Sequence, residues 1–202
     1  MILAIDTSTA ACTAALFDRD GGCIGRRDEI IGRGHAERLA PMLEELLDGR
    51  AADTILVGVG PGSFTGLRVG IAAAHGLAIG WDAQLLGFSS LALLAASAPE
   101  PGLIAAAMNG GHGELFVQQF DAELQPTTQV LNLPPAEAAR VISADRVAGP
   151  GARALVEARG AGEALEVWPT ASNALRLPEE LRTLAPFPLY ARAPDAKARS
   201  AA

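Results

Sequence analysis

The first half of the chain alternates between short apolar runs and stretches with helical spacing. The short runs are bounded by glycine, proline and small polar residues, which is typical of β-strands. These strands are predicted at residues 2–5, 10–17, 23–30, 54–59 and 84–87. Helices are predicted at residues 35–48, 63–79 and 89–97, where apolar residues recur every three or four positions. The predicted order is therefore three strands, helix, strand, helix, strand, helix.

The second half of the chain repeats this order in a shortened form. The segment PEPG at residues 99–102 marks a boundary, so we predict two domains, residues 1–98 and residues 99–202. The repeated order predicts an internal duplication. Residues 168–202 are rich in proline and are predicted to be mostly loop. Strands are predicted in the second domain at residues 103–107, 115–120, 128–131 and 146–148, and helices at residues 136–142 and 152–158.

Glycine is concentrated in residues 58–80, which read GVGPGSFTGLRVGIAAAHGLAIG. Gly66, Gly70 and Gly76 each lower helix propensity by about 1 kcal/mol relative to alanine. Small residues four apart would let another backbone come close to the helix, as in membrane helix pairs. The glycines therefore face either a partner's helix or the chain's own sheet. The turn before the helix, residues 60–62, lacks the spacing of a dinucleotide or P-loop motif.

The helix predicted at residues 35–48 has one apolar face and one charged face. Pro41 falls inside this helix. We expect it to kink the helix or to remove a hydrogen bond, at about 3 kcal/mol in an ordinary interior. A kink would shape a surface beside His35 and Glu37; the alternative is a plain amphipathic helix with a bend.

Half of the 202 residues are hydrophobic, which is enough to bury one large core or two small lobes. The 16 basic and 23 acidic side chains give a net charge of −7, which disfavours unaided binding to a nucleic-acid backbone. The chain has no apolar run of membrane-spanning length and no basic-then-apolar leader, so we expect a soluble, cytoplasmic protein. Cys12 and Cys23 are expected to be free thiols that pack as small hydrophobes.

Side chains capable of catalysis are present, but they do not form a recognisable site. His35, His75 and His112 are isolated from one another, whereas a catalytic metal needs about three converging protein ligands. The chain has no GxSxG motif for a serine nucleophile, and its carboxylates show no paired spacing. We therefore expect no catalytic residue, no cofactor and no bound metal.

Four separated blocks occur in the order ILAIDTSTAACTAAL, RGHAERLAPMLEELL, GPGSFTGLRVGIAAAHGLA and PLYARAPDAK. Together they resemble the bacterial TsaB (YeaZ) family. The resemblance implies an α/β fold, the duplicated ribonuclease-H-like (actin-like) fold with two lobes, of which the second is degenerate. The related catalytic subunit TsaD carries an HxxxH metal motif just after the equivalent of the central helix. This chain has Ser90 and Leu94 there, and neither can serve as that ligand.

Asp6 ends the first predicted strand and begins the hairpin tip Asp6-Thr7-Ser8-Thr9. In actin-like and sugar-kinase-like folds an equivalent tip faces nucleotide phosphates, and the aspartate helps to hold the metal. The resemblance suggests descent from such a site more than its use. The alternative is an Asx turn that its own hydrogen bonds close.

The resemblance implies a non-catalytic subunit that pairs with TsaD and works with TsaE in N6-threonylcarbamoyladenosine modification of tRNA at position 37. It also implies a homodimer when the chain is alone, contact with tRNA only through the complex, and no membrane contact. An ATP-dependent sugar-kinase-like enzyme or ATPase, and a metallopeptidase of the glycoprotease type, remain as alternatives. The family's partner contact lies on the first two helices, which predicts these interface residues: Arg33, His35, Glu37, Leu39, Met42, Leu43, Leu46, Gly66, Gly70, Ala73, Ala74 and Leu77.

Overall fold

The computed structural model describes residues 1–191, which form two five-stranded sheets with helices packed against them. Residues 192–197 of the C-terminal sequence block, with Pro194, lie outside the described residues. The first sheet and its helices consist of β1 (Ile2–Asp6), β2 (Ala11–Phe17), β3 (Cys23–Ile30), α1 (His35–Leu47), β4 (Thr54–Gly60), α2 (Phe64–Trp81), β5 (Gln84–Ser89) and α3 (Ser90–Ala96).

The second sheet and its helices follow, and two short helices come after them. The elements are β6 (Ile104–Gly111), β7 (Glu114–Phe120), β8 (Leu131–Leu133), α4 (Pro135–Val141), β9 (Arg146–Ala148), α5 (Ala152–Arg159), β10 (Glu163–Leu165), a 3₁₀ helix (Ala171–Arg176) and α6 (Glu179–Arg182).

The two sheets share one topology, which confirms the predicted duplication. The strand order is β3-β2-β1-β4-β5 in the first sheet and β8-β7-β6-β9-β10 in the second. In each sheet the first three strands are antiparallel, and the last two run parallel to the first. The last three strands of the second sheet have three residues each, so the second lobe is shortened, as predicted.

Predicted and observed elements differ most in the second half of the chain. The strand predicted at residues 128–131 lies at Leu131–Leu133, and the pattern does not predict β10. The predicted loop that starts at residue 168 contains the 3₁₀ helix and α6 within the described residues. These elements are too short for apolar residues to establish a period.

Side-chain alternation along the strands builds a core on each side of the first sheet. Leu3 and Ile5 face α1 and α2 in one apolar cluster, because alternate residues of a strand point to opposite faces. Ala4 faces the other way and joins α3 in the second cluster, which also contains Met108 and Phe116 of the second sheet. α3 is therefore the helix that joins the two lobes into one core.

The end of the described chain returns to the first sheet. The Ala171 N–H donates to Thr13 Oγ1 at 2.8 Å. Leu184 and Gly87 exchange two backbone hydrogen bonds of 2.9 and 2.7 Å, and Leu189 N–H donates to the Val59 carbonyl at 2.7 Å. This segment therefore packs on the first lobe, whereas the predicted domain boundary groups it with the second; that boundary stays a prediction.

The two cysteines have different environments. Both are free thiols, and Cys12 is buried with its Sγ 3.8 Å from Met42 Sδ, as predicted. Cys23 is exposed, so the prediction that it packs as a small hydrophobe is wrong, because it lies on an edge strand.

Two further predictions concern the helices. Pro41 lies within α1, which continues to Leu47. Among residues 1–191, no helix has both the length and the apolar character needed to cross a membrane.

Candidate functional site at the glycine-rich turn

The β1–β2 tip and the β4–α2 turn meet at one edge of the first sheet. β1 and β4 are parallel neighbours, so their carboxyl ends lie side by side, where α/β sheets commonly bind ligands. The Ser63 N–H donates to the Ser8 carbonyl at 2.7 Å and joins the two connections. Ser63 also caps α2, because its side chain accepts from Gly66 N–H at 3.2 Å.

Asp6 is fully buried at the centre of this meeting point. Its Oδ1 accepts hydrogen bonds from Ser8 N–H at 2.9 Å and Ser8 Oγ–H at 2.7 Å. Its Oδ2 accepts from Ser90 Oγ–H at 2.7 Å. Burial raises the pKa of Asp6, and the hydrogen bonds from Ser8 and Ser90 oppose that rise. The hydrogen bond from Ser8 N–H to Asp6 Oδ1 closes the Asx turn that was one of the two alternatives for this residue.

Ser90 is the partner of Asp6 that the sequence does not reveal. The two residues are 84 positions apart, and no local motif links them. Ser90 stands where the resemblance places a metal ligand of TsaD. Here its hydroxyl donates to a carboxylate of the same chain and lies 3.3 Å from the Gly60 N–H.

Glycines let α2 and β4 lie directly against the β1–β2 tip. A Cβ on Gly66 would overlap the Thr7 carbonyl oxygen, and a Cβ on Gly70 would overlap Thr7 Oγ1. Thr7 in turn donates from Oγ1 to the Gly66 carbonyl at 2.7 Å. A Cβ on Gly58 would overlap the Asp6 carboxylate. For Gly66 and Gly70, the structure therefore has the alternative in which the glycines face the chain's own sheet.

The C-terminal half of α2 carries exposed small residues. At Gly76 and Gly80 an added Cβ would meet no atom of residues 1–191 within 4 Å. Ala72 is exposed beside them, and Ile79 is 83% exposed. The small residues of this helix therefore pack against the β1–β2 tip in its N-terminal half and are exposed in its C-terminal half.

The predicted interface residues divide by burial. Arg33 and Glu37 are exposed, and Ala73 and Leu77 are half-buried. The remaining residues are buried within the chain itself, so they pack the helices against the core and offer no surface in this conformation. Whether α1 and α2 meet a partner stays a prediction. The buried residues are His35, Leu39, Met42, Leu43, Leu46, Gly66, Gly70 and Ala74.

Aromatic residues extend the exposed face of α2, and the sequence analysis missed them. The Arg68 guanidinium lies 3.7 Å from the centre of the Phe64 ring, and its Nε–H donates to Tyr190 Oη at 3.1 Å. The Phe64 and Tyr190 ring centres are 5.3 Å apart. Phe64 is 47% exposed and Tyr190 45%. The sequence signal that could have found this cluster is Phe64, an apolar residue of α2 that lies outside the buried face of the helix.

The histidines lie apart from one another. His35 is buried, with Nε2 3.3 Å from the Ala11 carbonyl oxygen. His75 is half-buried, with Nε2 3.3 Å from the Pro186 carbonyl oxygen. His112 is exposed in the turn between β6 and β7, as predicted. In the part of the chain that the structure describes, no three His, Cys, Asp or Glu residues lie close enough together to hold a metal ion.

Residues 15–164 match the family model described as TsaD, tRNA N6-adenosine threonylcarbamoyltransferase. The tRNA threonylcarbamoyladenosine biosynthesis protein TsaB of Escherichia coli is 34% identical over 130 residues, which cover 60% of this chain and 55% of that protein. The solved structure of YeaZ from Pseudomonas aeruginosa is 33% identical, with a TM-score of 0.79, and the match covers 94% of this chain and 98% of that one. This chain belongs to the TsaB (YeaZ) family. The family resemblance and the actin-like fold with two lobes are thereby confirmed.

The curated relatives are matched over only part of their length. The TsaB of Haemophilus influenzae is 41% identical over 104 residues, which cover 49% of this chain and 43% of that protein. The chain therefore spans about half the length of these two curated relatives.

Proposed function

We propose that this chain is the non-catalytic subunit that pairs with TsaD and works with TsaE in N6-threonylcarbamoyladenosine modification of tRNA at position 37, in the cytoplasm. The observation that carries this proposal is its membership of the TsaB (YeaZ) family, with a structural match along nearly the whole chain. The buried Asp6 supports a non-catalytic role, because its carboxylate is taken up by Ser8 and Ser90. In this proposal the chemistry belongs to TsaD.

The net charge of the chain supports a role in which other subunits bind the tRNA. The net charge of −7 repels a phosphate backbone, so the isolated chain binds tRNA weakly at physiological salt. The complex therefore brings tRNA to this subunit only through its partners.

The partner surface in this proposal is the exposed side of α1 and α2. At Gly76 and Gly80, an added Cβ would have no neighbouring atom among the described residues, so another helix backbone could approach closely. Ile79, 83% exposed, supplies apolar area beside them. The same surface would hold the second chain when this subunit pairs with itself.

Reconstitution tests the proposal directly. TsaD and TsaE of the same organism, threonylcarbamoyl-adenylate and tRNA are incubated with and without this chain, and modified adenosine is measured by mass spectrometry. We expect modification only when the chain is present, and none when the chain acts alone. Modification at full rate without it would remove the proposed role. The kinase or ATPase alternative instead predicts saturable Mg²⁺–ATP binding by the isolated chain, which calorimetry measures.

We expect Ile79→Asp to weaken binding to TsaD by about tenfold or more, because burial of a charge in an apolar contact loses at least about 1.4 kcal/mol. The matched control is Ile30→Asp, at another exposed isoleucine (63% exposed) that lies on β3. Calorimetric titration with TsaD measures both affinities, and the thermal midpoints confirm that both variants fold. Equal affinities of Ile79→Asp and the wild type would place the partner elsewhere.

A further inference from the structure

Phe64, Arg68 and Tyr190 form a cluster on the surface of the first lobe, which we call the Arg68 cluster. Phe64 and Arg68 lie on one side of α2 because they are four positions apart. Tyr190 belongs to the segment that returns to the first lobe, where Leu189 N–H donates to the Val59 carbonyl at 2.7 Å. All three residues of the cluster are exposed, so the cluster faces solvent.

The two rings orient the guanidinium of Arg68. Its Cζ lies 3.7 Å from the centre of the Phe64 ring and 6.0 Å from the centre of the Tyr190 ring. Its Nε–H donates to Tyr190 Oη at 3.1 Å. These contacts use the face of the guanidinium and one of its five N–H donors. The other four donors, on Nη1 and Nη2, take no part in them.

Arg68 has no carboxylate partner among residues 1–191. Other arginines use their guanidinium groups within the chain: Arg27 and Arg38 lie 3.8 and 3.0 Å from the carboxylate oxygens of Glu45, and Arg176 Nη1 donates to the Ala96 carbonyl at 2.9 Å. In the same part of the chain, Nη1 and Nη2 of Arg68 donate to no oxygen. The rings therefore orient a charged group whose outer donors are unused within the described chain.

The composition of the Arg68 cluster is typical of the centre of a protein–protein contact. Tyrosine and arginine are among the residue types most enriched in binding hot spots. Phe187 and Leu189, large apolar residues of the segment that carries Tyr190, are exposed as well. A partner that covers these side chains removes water from around Arg68, which strengthens any ion pair that the guanidinium forms.

The charges of the neighbouring helix favour a carboxylate over a phosphate backbone as the acceptor. α1 packs against α2 and exposes Glu37, Glu44 and Asp48. A nucleic-acid backbone on this side would bring a series of phosphates toward these carboxylates. A single carboxylate brings one negative charge, and its planar group matches the fork of an arginine in two parallel hydrogen bonds.

We propose that Arg68, flanked by Phe64 and Tyr190, binds one carboxylate side chain of the partner protein through Nη1 and Nη2. Arg68, Ala72 and Ile79 are exposed on one side of α2, because steps of four and seven residues return to nearly the same side of a helix. The Arg68 cluster therefore extends the surface that the proposed function assigns to TsaD, and this inference rests on that function.

Calorimetric titration with TsaD tests the contact through variants at residue 68. We expect Arg68→Gln to weaken binding at least about tenfold, because it removes the charge and the fork from a pair that the partner covers. Arg68→Lys should weaken binding about fivefold or more, since lysine retains the charge but has no planar fork. The matched control is Arg140→Gln, at an exposed arginine of α4 in the second lobe, which should bind TsaD as the wild type does.

Two further measurements separate a direct contact from a change in the fold. Between about 0.05 and about 0.5 M NaCl, the affinity of the wild type should fall more steeply than that of Arg68→Gln, because salt screens an ion pair that the variant lacks. Equal salt dependence would overturn the proposal. Without TsaD, the thermal midpoints of the two chains should agree closely. A lower midpoint that Asp195→Asn reproduces would mean that the carboxylate belongs to this chain, which also overturns the proposal.

The remaining outcomes distinguish this inference from the proposed function. If the wild type does not bind TsaD, the proposed function is wrong and the inference falls with it. If the wild type binds and Arg68→Gln binds as tightly as Arg140→Gln, only the inference is wrong. If Arg68→Gln binds TsaD normally but its complex loses affinity for tRNA, the acceptor is an RNA phosphate and the carboxylate contact is wrong.

Discussion

Gly66→Ala is expected to lower the free energy of unfolding by about 1–3 kcal/mol, the usual range for overpacking. The added Cβ would overlap the Thr7 carbonyl oxygen, which is a backbone atom and cannot rotate away. α2 would have to move off the β1–β2 tip, and the hydrogen bond from Thr7 Oγ1 to the Gly66 carbonyl would be strained. This loss exceeds the gain in helix propensity of about 1 kcal/mol.

Gly76→Ala on the same helix is the matched control. Its Cβ would meet no atom within 4 Å in the part of the chain that the structure describes, so we expect an increase in stability of about 0.4–1 kcal/mol. Urea unfolding followed by circular dichroism measures both variants at a concentration where the chain is monomeric. If Gly66→Ala were as stable as Gly76→Ala, the close approach of α2 to Thr7 would be wrong.

Asp6→Ala is expected to lower the free energy of unfolding by roughly 2–5 kcal/mol. The substitution leaves the Ser8 N–H and the hydroxyl groups of Ser8 and Ser90 without their buried acceptor, and each unsatisfied buried group costs about 1–3 kcal/mol. Asp6→Asn should retain most of the stability. Its carbonyl oxygen can accept from Ser8, and its amide can donate to Ser90 Oγ.

The raised pKa of Asp6 predicts that the stability of the chain depends on pH. Burial raises the pKa of Asp6 in the folded chain, so the folded state takes up this proton at a higher pH than the unfolded state. The contribution of Asp6 to stability therefore increases as the pH falls through its folded pKa, and it stops increasing near the unfolded value of about 3.9. Above the folded pKa this contribution is absent.

Unfolding curves from about pH 4, near the unfolded pKa of an aspartate, to about pH 8 measure the difference between the wild type and Asp6→Asn. We expect the wild type to gain stability relative to Asp6→Asn toward the acid end. A constant difference across this range would mean that the pKa of Asp6 is not raised. If Asp6→Asn lost as much stability as Asp6→Ala, the ionisable carboxyl group would be required at this position, and an acceptor oxygen alone would not be sufficient.

The order of elements and the duplication of the fold were predictable from the sequence. Each strand and helix of the first half is long enough to show its period of 2 or 3.6, and the tips and turns carry glycine or small polar residues. β3 was predicted with its observed bounds, Cys23–Ile30. Most elements of the second lobe were also predicted, but β8 was misplaced and β10 was missed, because strands of three residues show no period. Local patterns are sufficient here because they depend only on neighbouring residues.

Only the tertiary structure decided what each of these residues contacts. Gly66 and Gly76 look alike in sequence, yet Gly66 lies against Thr7 and Gly76 has no described residue within 4 Å of an added Cβ, because the β1–β2 tip crosses α2 at one end only. Asp6 and Ser90 meet across 84 residues because parallel strands bring distant segments to one sheet edge. The burial of a group and its partners are properties of the packed chain, and a period along the sequence reports only which face of an element is apolar.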